Sequence, residues 1–496
     1  MQARGGFQFG AADILTALCC LLLLGSIVIG PLLVGSYFGH WRWPLIYCCS
    51  SAALLLIFKN FFGSADHSTR LSWALIIPII LIIIQGCWMW FNTWGEFSRH
   101  SENISGAAPW SVRSLENQPF PSLSGSPDKA EAWDRLSYIF PCLALIFGVR
   151  SLIISKPSWS RLIAVTVFWT GVTVALVGLT QRWTDAKGVY WLTEYASIER
   201  KLFFGPYRSP GIAASLLNIA LALGLSIFLT PTNKNPESKM AWLSVMRTIL
   251  YLLGIIILTT AAVSTGSKTG TLLALLTLAA WLWCNRRAVI LAYRRSAAYF
   301  PGNERLERNL VTVTILCIAL IAILSFAGTM VLRWQEAAEG DFASLAGRGA
   351  TNAVQIEMMQ DEEWGALGYG PGSFYPLFPY FVGDHDVVGI YVYAHNDYLQ
   401  TLVEWGWLGT SAFAVILGGG VFMLTREVVA HKQEHSKNRV ILMRGYLIAI
   451  VICMLHALID FPFQIESIAV IFSALLGVAW ASSDLRGREI ETIRRS

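Results

Sequence analysis

Runs of about twenty apolar residues, the length that crosses a bilayer, recur along most of this chain, and no other feature narrows its fold so far. "LTALCCLLLLGSIVIGPLL" (15–33) and "WALIIPIILIIIQGCWMWF" (73–91) are two of twelve, centred near residues 25, 52, 82, 145, 170, 220, 256, 277, 320, 414, 452 and 474. Lipid offers the backbone no hydrogen-bond partner, so such runs must close their bonds within helices. The expected fold is therefore an all-α polytopic membrane protein of about twelve transmembrane helices. Composition agrees, with 55% hydrophobic and only 14% charged residues against about 25% charged in ordinary soluble domains. No small-residue cleavage site closes the first run, so it reads as span one and not as a signal peptide. Spans seven and eight are divided only by "STGSKTG".

Orientation follows from Lys and Arg, which cytoplasmic loops concentrate. With the N-terminus inside, the loop after span eight is cytoplasmic and holds Arg286, Arg287, Arg294, Arg295, Arg305 and Arg308. The tail agrees, with Arg486, Arg488, Arg494 and Arg495. Residues 333–402, between spans nine and ten, carry only Arg333 and Arg348 against ten acidic residues, Glu336 to Asp397. That large loop is expected on the outer face, as are 95–135 and 181–208. The net charge of +5 reflects this bias, and nothing calls for nucleic acid.

The expected organisation is 1–332 as spans one to nine with their loops, 333–402 as an outer catalytic loop, and 403–496 as the last three spans and tail. All nine cysteines lie in or beside spans, which argues against a disulfide framework or a Cys-ligated metal. "PFPSLSGSPDK" (119–129) reads as a solvated, mobile outer loop. Aromatic residues crowd 333–402, from Trp334 to Tyr393. They suit either an interfacial belt or stacking on sugar faces. "GALGYGPGSF" (365–374) has the glycines of tight turns and no βαβ context for a dinucleotide.

The densest polar cluster is "YAHNDYLQTLVEWGWLG" (393–409). Asn396 or Asp397 can cap a helix whose apolar Leu399, Leu402, Val403 and Trp407 follow at helical spacing. His395 would sit at its mouth, either bonded to a backbone carbonyl or free to accept a proton. Glu404 reads as a second base, an orienter of the histidine or a structural partner. "MLHALIDFPFQIES" (454–467) sets His456 and Asp460 four residues apart on one helical face, either paired only with each other or functional. Asp384 and Asp386 in "GDHD" imitate a metal-binding pair, but the match is short and lies in an acidic loop. No metal and no cofactor is expected.

"GALGYGPGSF" followed by "AHNDYLQTLVEWGWLG" resembles the signature region of the O-antigen ligase and O-antigen polymerase superfamily. The likeness extends over 200–480. It implies a GT-C-like glycosyltransferase in the bacterial inner membrane, its site facing the periplasm. The reaction implied is metal-independent, inverting transfer of a glycan from an undecaprenyl diphosphate carrier to a lipid A core, a glycan or a protein. By the same resemblance His395 acts near the acceptor, with Asn396, Asp397 and Tyr398 beside it, and Arg348 in "LAGRGATNAVQ" meets the diphosphate. Two departures stand out. Lys268 occupies the place of a usual arginine and lacks its bidentate fork. In "FFGPYRSPGIAASLL", where the family often has an Asn-containing segment, Arg208 and Gly211 appear. Arg208 would supply the missing guanidinium, or else anchor the span at the interface. The alternatives are a polymerase or a protein-directed transferase within the enzyme class, and a polysaccharide transporter or flippase outside it. A transporter would show charges lining mid-membrane positions and repeated halves, and no repeat is found.

Overall fold

The computed structural model describes residues 11–33, 35, 39–62, 72–99, 110–192, 203–230, 241–298, 343–362, 364–383, 385, 387, 391–430 and 437–495. The chain is an all-α polytopic membrane protein. Its helices are α1 (Ala11–Leu32), α2 (Gly39–Phe62), α3 (Trp73–Phe91), α4 (Lys129–Ser155), α5 (Ser158–Trp183), α6 (Pro210–Phe228), α7 (Ala241–Ser264), α8 (Lys268–Ala298), α9 (Ala343–Met358), α10 (Asp397–Ala430), α11 (Lys437–His456) and α12 (Glu466–Arg495). Among the described residues nine helices are long and apolar enough to cross a membrane, and α2 and α12 hold shorter apolar stretches. Eleven of the twelve expected spans fall on helices. The one near residue 320 lies outside the described residues.

Helix α6 is the centre of the bundle, buried on every side from Gly211 to Ile227, as expected of a helix apolar all round. It packs on α5, α7, α8 and α11, while α4, α2 and α12 form the neighbouring layer. Small residues allow the close crossings: a Cβ at Gly270 of α8 would collide with Ala214 of α6, and one at Gly445 of α11 with Ser226. The α7–α8 connection is the tight turn its sequence predicts. Thr265 and Gly266 reverse the chain, and Ser267 Oγ accepts from Gly270 N at 3.0 Å, capping α8.

One end of the bundle is basic and latched. Arg150 meets Asp484 at 2.7 Å and Arg439 meets Glu427 at 2.8 Å. Arg161 donates to the Thr230 carbonyl at 2.6 Å, taking up a backbone acceptor just past α6. At the other end, β1 (Gly95–Arg99) and β2 (Trp110–Ser114) form an antiparallel hairpin. The expectation that 119–129 is a solvated loop holds for 119–123, which are exposed, and is corrected at its second half. Residues 125–128 are buried, because Asn92 Nδ2 donates to the Phe120, Leu123 and Ser124 carbonyls and Asp128 accepts from Phe97 N at 2.8 Å and Glu131 N at 2.7 Å. Tyr380 Oη then accepts from Val112 N at 3.0 Å, docking the hairpin on the segment between α9 and α10.

Candidate functional site

Helix α10 is not the uninterrupted span that its spacing predicts. At Gly406 the backbone turns to φ +57° and ψ −165°, dividing a short first part, Asp397–Trp405, from the spanning remainder. A break inside an apolar bundle frees carbonyls that need new donors, and the glycine-rich segment supplies them. Tyr369 N donates to Val403 O at 3.0 Å and Gly370 N to Glu404 O at 2.8 Å. Gln85 of α3 donates to Trp405 O at 2.8 Å and Leu367 O at 2.9 Å. Gly368, at φ +74°, could carry no side chain, since its Cβ would fall 2.8 Å from Glu404 O and onto Gly406 N. "GALGYGPGSF" is thus the brace of a broken helix.

Glu404 belongs to that brace. Its carboxylate, almost wholly buried, accepts from Gly372 N at 3.1 Å and Gln400 Nε2 at 3.1 Å. The Arg135 guanidinium is near enough to act on it. The expectation that Glu404 orients His395 gives way: its hydrogen bonds run to the glycine-rich segment and to Gln400.

The mouth of α10 is held from several directions. Asn396 Oδ1 accepts from Leu399 N at 3.2 Å, so Asn396 is the cap. Asp397 instead ties α10 to the turn after α11: its N donates to Ala457 O at 2.9 Å, and its Oδ2 accepts from Phe463 N at 2.8 Å. Tyr398 Oη donates to Met454 O at 2.9 Å, and Gln400 Oε1 accepts from Ala394 N at 3.0 Å. Between these fixed points His395 takes φ +53°, a left-handed conformation costing about 1–3 kcal/mol that persists only where the surroundings over-determine it.

That conformation directs the imidazole to Asp460. His395 Nδ1 lies 3.3 Å from Asp460 Oδ1, and the ring edge packs on Phe461 and Tyr391 with centroids 4.8 and 5.9 Å apart. The side chain is 30% exposed, whereas that of Asp460 is 6% exposed. Burial alone would raise the Asp460 carboxyl, but His395, His456 and Arg348 outweigh it and hold it below its ordinary value. The same carboxylate touches the start of α6. A Cβ at Gly211 would lie 3.2 Å from Asp460 Cγ and overlap Oδ2, and Ser209, which precedes the helix, makes no side-chain cap. His456, wholly buried at the end of α11, completes the group.

The expected site residues therefore divide. His395, Asp460 and His456 meet, with Arg348 on α9 close enough for its charge to act on Asp460. Lys268 is half-buried as the first residue of α8, whose start packs on α6 through Gly270, and Asn218 Nδ2 donates to Gly270 O at 3.0 Å. Arg208 is exposed, three residues ahead of Gly211. Asp384 and Asp386 lie outside the described residues. Among the described residues no group of three His, Cys, Asp or Glu side chains could hold a metal ion.

Two buried arginines were missed. Arg135 of α4 lies over the Tyr393 ring at 5.0 Å and reaches Gln464 Oε1 at 3.4 Å. Arg42 of α2 bridges Asp134 and Glu466. The available signal was an arginine at the edge of an apolar run. A cavity of about 190 Å³ lies beside this network, lined by Tyr138, Leu143, Phe413 and Phe472 with Asp397 and Glu404 at its polar end.

No curated protein matches the chain. The model of the family described as O-antigen ligase matches residues 253–414, a stretch that contains Lys268, Arg348, His395 and Glu404, while Arg208, Gly211, His456 and Asp460 fall outside it. The broken helix and its histidine lie inside that matched stretch, and over residues 253–414 the chain is similar to the O-antigen ligase family.

Proposed function

We propose that the protein is a membrane glycosyltransferase that moves a glycan from an undecaprenyl diphosphate carrier to an acceptor hydroxyl, in one inverting displacement that uses no metal. The observation that carries this reading is His395, strained and part-exposed, with Nδ1 3.3 Å from the buried Asp460 carboxylate. The resulting division of labour is that of a positioned base: Nδ1–H faces Asp460 Oδ1, and Nε2 takes up a proton.

In the reaction the acceptor oxygen attacks the anomeric carbon and loses its proton to His395 Nε2. The bond from that carbon to the diphosphate oxygen breaks, and its electron pair leaves with the diphosphate. Single displacement inverts the configuration. Asp460, ionised at neutral pH, stabilises the imidazolium as it forms. A base so placed contributes about 10²–10⁴ in rate.

The departing diphosphate gathers negative charge, which fixed cations stabilise more strongly at a lipid boundary than in water. Arg348, Lys268 and Arg208 are the candidates. Lys268 opens α8 and Arg208 precedes α6, so the positive ends of two packed helices add to their charge. The basic residues at the opposite end of the bundle support an inner-membrane protein whose site faces the periplasm. Residues 333–402 then act as the outer catalytic loop.

The test is transfer in reconstituted membranes from a lipid-diphosphate-linked glycan, offered a lipid A core, a glycan and a protein acceptor. Wild type should transfer without added metal or ATP, and His395→Ala should lose at least about 10²-fold. The productive acceptor separates ligase from polymerase from protein-directed transferase. Equal transfer by wild type and variant would remove His395 from the reaction.

A further inference from the structure

Asp460 has two carboxylate oxygens, and the reading above uses one. Oδ1 accepts from Phe461 N at 3.1 Å and faces His395. Oδ2 is turned the other way, into a slot walled by Gly211 and by His456, whose Nε2 lies 3.8 Å off. His456 is wholly buried, and its Nε2 has no hydrogen-bond partner. Its other nitrogen is engaged: Nδ1 lies 2.8 Å from Ser215 Oγ on α6.

The tautomer follows from these contacts. A histidine carrying its proton on Nδ1 would turn a bare Nε2 lone pair toward a carboxylate, and the two would repel. With the proton on Nε2, that N–H faces Oδ2, and Nδ1 accepts the Ser215 hydroxyl proton. The competing acceptor for that hydroxyl, Gly211 O, is farther off at 3.3 Å. The 3.8 Å gap exceeds a hydrogen bond, and a shift of about 0.8 Å closes it.

We propose that His456, seated by Ser215, is a positioning residue of the transfer site: its Nε2–H holds Asp460 Oδ2 in the slot and so keeps Oδ1 turned to His395. The line Ser215, His456, Asp460, His395 joins α6, the end of α11 and the mouth of α10. Three segments distant in sequence are thereby held in one register. The inference rests on the transferase reading for its consequence, and on geometry alone for its tautomer.

The test uses the full-length protein in lipid nanodiscs with two readouts. In the first, histidine-selective ¹⁵N spectra are recorded at pH 7.5 for wild type, His456→Gln as the assignment control, and Ser215→Ala. His456 should show a protonated Nε2 and a bare, hydrogen-bonded Nδ1, and Ser215→Ala should move the Nδ1 resonance. A protonated Nδ1, or a resonance indifferent to Ser215→Ala, overturns the proposal. In the second, transfer by His456→Gln is compared with His456→Leu, both checked for an unchanged melting temperature. Gln keeps an N–H donor where Nε2 stood and should retain kcat within about threefold. Leu should lose about 10- to 100-fold in kcat with KM for the lipid-linked glycan unchanged, the signature of a reacting group displaced by about 1 Å. Equal loss in both variants, or none in either, also overturns it. Should wild type transfer nothing, the transferase reading falls, and the spectra still decide the tautomer.

Discussion

Gly211→Ala tests the site at its tightest point. The added methyl would stand 3.2 Å from Asp460 Cγ and inside the space of Oδ2. Carbon and oxygen at ordinary contact need about 3.4 Å or more, so the carboxylate must withdraw by roughly 1.5 Å. Because Oδ2 faces away from His395, the carboxylate relieves the clash by turning, and a turn that carries Oδ1 off His395 by the same roughly 1.5 Å opens the 3.3 Å pair to roughly 4.8 Å. With an effective dielectric constant near 20, the attraction between carboxylate and nascent imidazolium falls from about 5.0 to about 3.5 kcal/mol. The loss of about 1.5 kcal/mol is slightly more than tenfold in rate. Misalignment of the base adds to it, so the expected fall in kcat is about 10- to 100-fold. Helix propensity works the other way, because Ala is favoured over Gly in a helix by about 1 kcal/mol. The melting temperature should therefore move little while transfer collapses. The assay is initial-rate transfer from a lipid-linked glycan, with donor binding and thermal melting measured on the same preparations. The reasoning is falsified if a folded, donor-binding Gly211→Ala protein keeps kcat within threefold of wild type.

Four further outcomes are expected. Arg135→Met removes the cation beside Tyr393, Gln464 and Glu404, and the uncompensated buried charge should cost about 3–5 kcal/mol, read as a lowered melting temperature. Gly368→Ala places a Cβ against the Glu404 carbonyl at a positive φ, so it should destabilise by at least about 1 kcal/mol; an unchanged melting temperature would contradict the bracing role of the glycine-rich segment. The Asp460 carboxyl is held below its ordinary value, so its contribution to stability is complete above about pH 4 and is lost as pH falls through the depressed folded value. The melting-temperature gap between wild type and Asp460→Asn should therefore shrink below pH 4. Lys268→Arg should tighten donor binding by restoring a bidentate fork, and binding weakened as much as by Lys268→Ala would argue against phosphate contact.

The parts of this architecture that could be read in advance were those set by short-range pattern. Asn396, one of the two caps its place before Leu399, Leu402 and Val403 offered, caps α10, and "STGSKTG" forms the reversal between α7 and α8. The break at Gly406 was not legible, because one glycine between Trp405 and Trp407 is tolerated in an ordinary helix. What breaks it is the carbonyl trade with Tyr369, Gly370 and Gln85, two of them on a segment more than thirty residues earlier. The choice among the three readings of Glu404 was open for the same reason, its hydrogen-bond partners being unknowable until the glycine-rich segment docks. Arg135 carried only a weak signal, a guanidinium at the edge of an apolar run and among other charges. Gly211 and Ser215 carried none, since small residues in a buried helix read as packing.

By itself the sequence determined that this is a helical membrane protein, where its described spans run, and which polar clusters were candidates for chemistry. Those conclusions rest on hydrophobicity summed over about twenty residues and on capping preferences a few residues wide, quantities complete within one segment. Tertiary structure alone decided that His395 faces Asp460 while Glu404 faces Gly372, and that Ser215 meets His456 across 241 residues of chain. A hydrogen bond is made within about 3 Å, and which side chains come that close depends on how α6, α10 and α11 cross.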